Sequence, residues 1–129
     1  MMVEVSQQFY FDAAHTLRRD IEVEGSRRIH GHTYQAEVTI RGRVNEQTGM
    51  VVDLGDVRRE VERVRETLDH RFLDDVPNLG TPTLENLCAY IRNSLQPVFP
   101  DLSEVRVWRA AIGDACKLTV DPVVPGVQA

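Results

Sequence analysis

The chain has no run of about 20 apolar residues, so no segment is expected to cross a bilayer as a helix. It also has no excess of positive charge. Fifteen Lys and Arg against 20 Asp and Glu give a net charge of −5 and a pI near 5.3, which argues against a nucleic-acid-binding surface. The opening MMVEVSQQF has neither a basic start nor an apolar h-region, so no secretion signal is read there. Only two cysteines are present, Cys88 and Cys116. Without a secretion signal they are expected as reduced thiols of a cytoplasmic protein rather than as a disulfide. No low-complexity segment or linker interrupts the chain. Histidine is scarce too, at four in 129 residues, yet each one stands in a motif that looks chemical. His15 closes FDAAH, His30 and His32 form HGH, and His70 follows Asp69 in LDHRFLDD.

A chain of 129 residues is expected to form one domain, assigned to residues 1–121, with 122–129 as a flexible tail. Residues 3–14 predict a strand, with Val3, Val5, Phe9 and Phe11 on one parity and His15 continuing it. Residues 16–29 read as a charged connection. Residues 30–43 predict a second strand with Tyr34, Ala36, Val38 and Ile40 on one face. Asp53 is placed as the N-cap of a helix whose stripe is Leu54, Val57, Val61, Val64 and Leu68. A second helix begins around 81–83, carries Leu84, Leu87, Cys88, Ile91 and Leu95, and stops at Pro97. Strands follow at 104–111 and 115–120, with a turn at Gly113-Asp114. The order ββααββ predicts an α+β fold, a four-stranded antiparallel sheet with two helices on one face. A unit this small has little room for a deep cleft, which favours a site placed between subunits.

His30 and His32 lie two apart on a predicted strand, so both rings leave the same face, with Gly31 between them expected to allow close backbone packing. If the first two strands pair, His15 joins them. Three neutral imidazoles and an open fourth position are the arrangement of catalytic zinc, which would polarise a substrate oxygen. The spacing alone equally fits ordinary polar strand ends, with His15 beside a turn and His70 at a helix C-terminus favoured by the dipole.

FDAAH, HGHTY, GMVVDLGDV, LDHRFLDD and PTLENL, taken in this order between Phe9 and Trp108, resemble the 6-pyruvoyl-tetrahydropterin synthase and 6-carboxy-tetrahydropterin synthase family. The resemblance implies zinc on His15, His30 and His32 and a tunnel-type fold (T-fold) whose subunits join sheets into a β-barrel. It implies trimers that stack into hexamers, an active site between subunits, and 7,8-dihydroneopterin triphosphate as the phosphorylated, pterin-like substrate. It also implies a proton relay at Asp69 and His70, in which the carboxylate fixes the imidazole tautomer as a general acid/base requires.

Two positions depart from the family pattern. The cysteine expected four residues before the HGH motif is Ser26, a far weaker acid that needs a base. Cys88, in a helix stripe, and Cys116, on a strand parity, read as core thiols rather than as its substitute. The second departure is VRVWRA in place of V-x-V-x-E-T, which puts Arg109 where the family's Glu holds the pterin ring and Ala110 where it has Thr. Arginine only donates, so it suits a carboxylate, phosphate or carbonyl on the substrate. In the alternative register Arg109 is a surface residue and Asp114 or Glu104 supplies the carboxylate. Thr83 and Glu85 match the family's second-helix start, where they line the pocket or simply cap the helix. The reading is a zinc-dependent carbon–oxygen or carbon–carbon lyase whose usual pterin turnover is weakened by these two changes. The alternatives are a zinc-containing homologue that binds another small ligand without turnover, and a purely structural zinc.

Overall fold

A computed structural model describes residues 1–121. The segment 122–129, expected as a tail, lies outside the described residues. Two 14-residue strands dominate the molecule, β1 (Met2–His15) and β2 (His30–Arg43). They pair antiparallel along their whole length, from Met2 opposite Arg43 to His15 opposite His30. Alternation explains the pairing. Phe9, Phe11 and Ala13 on β1 and Tyr34, Ala36 and Val38 on β2 are buried on one face, while Gln8, Tyr10, Gly31 and Thr33 stay exposed on the other.

Helices α2 (Leu54–Leu68) and α3 (Leu84–Leu95) cover the buried face. The Asp53 side chain caps α2 by accepting from the Gly55 N–H at 2.8 Å. Val57, Val61, Val64 and Leu68 form its buried stripe, and Leu87, Cys88, Ile91 and Leu95 that of α3. Burying each such aliphatic side chain is worth roughly 1.5–3 kcal/mol, which fixes both helices on the sheet. Both cysteines are free, and burial pushes the Cys88 thiol up to about 12.

Three differences from the sequence expectation matter for the site. The sheet has five strands, in the order β3-β1-β2-β4-β5 with β4 at Leu102–Arg109 and β5 at Asp114–Thr119, because Arg71–Phe72 forms a short β3 parallel to Ala13–Ala14 of β1. Two residues carry no periodicity that a sequence could reveal. The connection expected after His15 holds a one-turn helix, α1 (Val23–Arg27), which follows Glu22 in the left-handed region (φ 51°). The last hairpin, β4 with β5, is displaced from its expected bounds. Asp114, expected in the turn, therefore opens β5 directly opposite Arg109. Within one chain the sheet does not close on itself, and β5 forms one of its edges.

Candidate active site

The core-facing parity of β1 runs on from Phe11 and Ala13 to His15, which is 2% exposed. On β2 the same face reads back from Tyr34 to His32 and His30. His15 stands opposite His30, and His32 opposite Ala13, so three imidazoles meet at one end of the core. His15 Nε2 lies 3.0 Å from both His30 Nε2 and His32 Nε2. One nitrogen from each ring falls within 4.8 Å of the others.

Backbone carbonyls orient two of the rings. His15 Nδ1 donates to the Pro82 carbonyl at 3.0 Å, and His30 Nδ1 to the Arg28 carbonyl at 2.7 Å. With the proton held on Nδ1, each Nε2 presents a lone pair to the centre. Two such lone pairs facing each other at 3.0 Å repel unless a cation sits between them. Burial, ahead of the neighbouring charges, lowers the pKa of His15, and it lowers that of His32 to about 4, so both are neutral at pH 7. Three imidazoles whose Nε2 atoms converge on one point are a donor set that fits zinc.

Beneath the triad lies Tyr34, stacked on Phe11 with centroids 5.0 Å apart and the rings 14° from parallel. Its hydroxyl is buried beside Arg109 yet makes no well-formed hydrogen bond among the described residues, and burial raises its pKa to about 12.

Asp69 caps the C-terminal end of α2, and His70 follows it. Asp69 accepts the Asp12 N–H at 2.9 Å on Oδ1 and the His70 Nδ1–H at 2.7 Å on Oδ2, with Arg65 Nη2 at 3.3 Å. The Asp12 N–H is the main cause that holds this carboxylate below its usual range, followed by His70 and Arg65. His70 takes a left-handed backbone (φ 57°), and its N–H donates to the Asp12 carbonyl at 2.6 Å. Its side chain is 80% exposed and shares a cleft of about 520 Å³ with Asp12, Gly31 and His32. A Cβ on Gly31 would meet the Ala13 carbonyl at 3.6 Å, an ordinary contact. Glycine is therefore not required for strand pairing, as the sequence had suggested, and it forms part of the cleft wall instead.

Arg109 is not a surface residue, because its side chain is only 18% exposed. Nε donates to Asp114 Oδ1 at 2.9 Å, Nη2 donates to Asp114 Oδ2, and Nη1 lies 3.3 Å from His32 Nε2. The hydrogen bonds from Arg109 lower the pKa of the Asp114 carboxylate. Ser26 is buried in α1, and among the described residues its hydroxyl makes no hydrogen bond. Thr83 is the α3 N-cap, accepting from the Asn86 N–H at 3.1 Å, and Glu85 is exposed in the first turn. No hydrogen bond joins Ser26, Thr83 or Glu85 to the triad.

Sequence reasoning missed the Pro82 and Arg28 carbonyls, Asp12, and Asp74. Asp74 accepts from the N–H of Thr16 at 2.9 Å and from its hydroxyl, so it fixes the chain just beyond His15. The available signals were the second carboxylate of the Asp-rich LDHRFLDD stretch and the helix-starting proline.

Comparison with known proteins gives a consistent set of relatives. The family model described as 6-pyruvoyl tetrahydropterin synthase matches residues 4–119. The human 6-pyruvoyl tetrahydrobiopterin synthase is 34% identical over 111 residues, 75% of this chain and 77% of that protein. The dihydroneopterin monophosphate aldolase of Pyrococcus furiosus is 27% identical over 121 residues, 94% of this chain and 97% of its own. Among solved structures, the Caenorhabditis elegans 6-pyruvoyl tetrahydropterin synthase superposes with a TM-score of 0.80 at 26% identity, covering 94% of this chain and 97% of that one.

Proposed function

The chain belongs to the 6-pyruvoyl tetrahydropterin synthase family, lyases of pterin metabolism, and on that footing we propose that it is a zinc-dependent lyase acting on 7,8-dihydroneopterin triphosphate or a related phosphorylated pterin. The observation that carries the reading is the convergence of three imidazole nitrogens, two of whose rings are oriented by backbone carbonyls. His15, His30 and His32 would hold the metal. When bound, zinc supplies Lewis-acid polarisation of a substrate oxygen.

The chain's own residues supply the rest. Asp69 fixes the proton of His70 on Nδ1, which leaves Nε2 free to take or give a proton in the cleft shared with His32. Ser26 occupies the place of the family's cysteine, but no base among the described residues activates its hydroxyl. Proton transfer therefore falls on the Asp69–His70 pair alone. Arg109 cannot accept from the two-donor edge of a pterin ring and would meet a substrate oxygen or carboxylate instead. Thr83 shapes the pocket indirectly, as the cap beside the Pro82 carbonyl, and Glu85 offers an exposed carboxylate at the same helix start.

A phosphorylated substrate suits the pocket of about 380 Å³ lined by Thr16, Arg18 and Arg27, next to His15. Neither arginine is in an ion pair among the described residues, so both are available to a phosphate. The protein would work in the cytoplasm as a homo-oligomer, a trimer or hexamer, with neither nucleic acid nor membrane as partner.

Purified zinc-loaded protein assayed with 7,8-dihydroneopterin triphosphate should give weak or no turnover to 6-carboxy- or 6-pyruvoyl-tetrahydropterin, and Ser26→Cys should raise it. Robust wild-type turnover would refute the idea that the two substitutions impair the usual reaction. A carbon–carbon cleavage is favoured as second reading by the Pyrococcus furiosus aldolase, which this chain matches nearly end to end. Product analysis with dihydroneopterin monophosphate separates the two. A homologue that has lost catalysis would bind zinc and a small ligand yet turn over neither substrate.

A further inference from the structure

The guanidinium of Arg109 touches the metal-facing side of the triad. Its Nη1 lies 3.3 Å from His32 Nε2, the same nitrogen that faces His15 Nε2 at 3.0 Å. The guanidinium is not free to swing away. Nε and Nη2 both donate to Asp114, which the β4–β5 pairing places directly opposite on the neighbouring strand. Arginine keeps its proton under all ordinary conditions, so the contact cannot be relieved by deprotonation. One nitrogen lone pair cannot serve an N–H and a metal ion at once. In addition, a fixed positive charge a few ångströms from a metal cation opposes it in a partly dry site.

We propose that Arg109 competes with the metal for His32 and that Asp114 sets the strength of the competition. The inference rests on the reading of the triad as a zinc site. Arg109 holds zinc affinity down, and the Asp114 carboxylate, which is 40% exposed, offsets part of that charge. The two members of one ion pair therefore act on metal affinity with opposite signs. A pair that merely braced the hairpin would act with the same sign, because losing either partner would loosen the same strands.

The test measures zinc affinity directly, by competition of metal-free protein against a chromophoric chelator, with circular dichroism as the check on folding. Arg109→Met keeps the stem and removes charge and donors, so it should bind zinc at least about tenfold more tightly than wild type. Asp114→Asn leaves the cation uncompensated and should bind about tenfold more weakly. The double variant, with neither charge, should still exceed wild type, which distinguishes relief of competition from recruitment of Asp114 as an extra ligand. If Arg109→Met does not fold, Arg109→Gln, neutral but still able to donate, replaces it in the same assay and should also bind more tightly. Equal or weaker affinity in the Arg109 variant, or a fall in both single variants, overturns the proposal. If wild type and the Arg109 variant both fail to bind zinc, the metal reading itself falls. If wild type binds and the variant gains nothing, only the role of Arg109 is lost.

Discussion

Asp69 joins three parts of the chain: the backbone of β1 through Asp12, the end of α2 through Arg65, and the imidazole of His70. All three partners favour its anion, so its folded pKa lies below the ordinary carboxylate value. The sign of the linkage follows. A carboxylate with a depressed folded pKa stabilises the protein above its unfolded value, and that contribution is lost as pH falls through the folded one. Asp69→Asn should therefore melt below wild type at pH 7, with the gap closing as the pH drops below about 4. Calorimetry at pH 7, 5 and 3 checks it, and a deficit that stays constant to pH 3 would count against the ion-pair account. At this scale the sequence was informative where side-chain identity decides. His15, His30 and His32 share strand parity, and Asp69 and His70 are neighbours. It was silent where geometry decides, because a backbone carbonyl such as that of Pro82 has no residue-type signature. The contact between Arg109 and Asp114 depends on a hairpin register that shifted by one to two residues from the sequence estimate.

Elements set up these contacts, and α3 shows how. Thr83 caps the helix, and the preceding residue, Pro82, turns its carbonyl onto His15 Nδ1. Removing the cap should cost about 1 kcal/mol, and it should also loosen the carbonyl that orients a metal ligand. Thr83→Ala is accordingly expected to shift the urea midpoint downward and to weaken zinc binding severalfold, while Thr83→Ser, which retains the hydroxyl, restores both. A loss of stability with unchanged zinc affinity would separate the cap from the site. The long elements were legible because their patterns extend over many residues, two alternating strands of 14 residues and two helical stripes of four or five apolar positions. The one-turn α1 and the two-residue β3 were not, since each is held by what it meets rather than by a local pattern. Both carry site geometry. α1 holds Ser26, and β3 follows His70 directly.

The whole molecule is built on one large apolar core. The triad closes one end of a continuous apolar cluster of more than 20 side chains, from Phe9 to Val120, and those residues pack without it. Zinc bound there should add stability by mass action on an already folded chain, in contrast to small domains that fold only around their metal. The sheet does not close within one chain and ends at β5, and His70 stands 80% exposed at an open cleft. A second copy that extended the sheet would remove the edge and could roof the cleft, which is what the expected barrel does. One chain's sequence can show the α+β layout but not which edges join, because intersubunit strands need no special residues. Sedimentation should therefore give a trimer or hexamer of the 14.7 kDa chain. Chelation should abolish activity while leaving the same oligomer, with a cooperative transition at a modestly lower temperature. Collapse of the chelated protein into unfolded single chains would instead make the metal a structural element and move the triad from chemistry to folding.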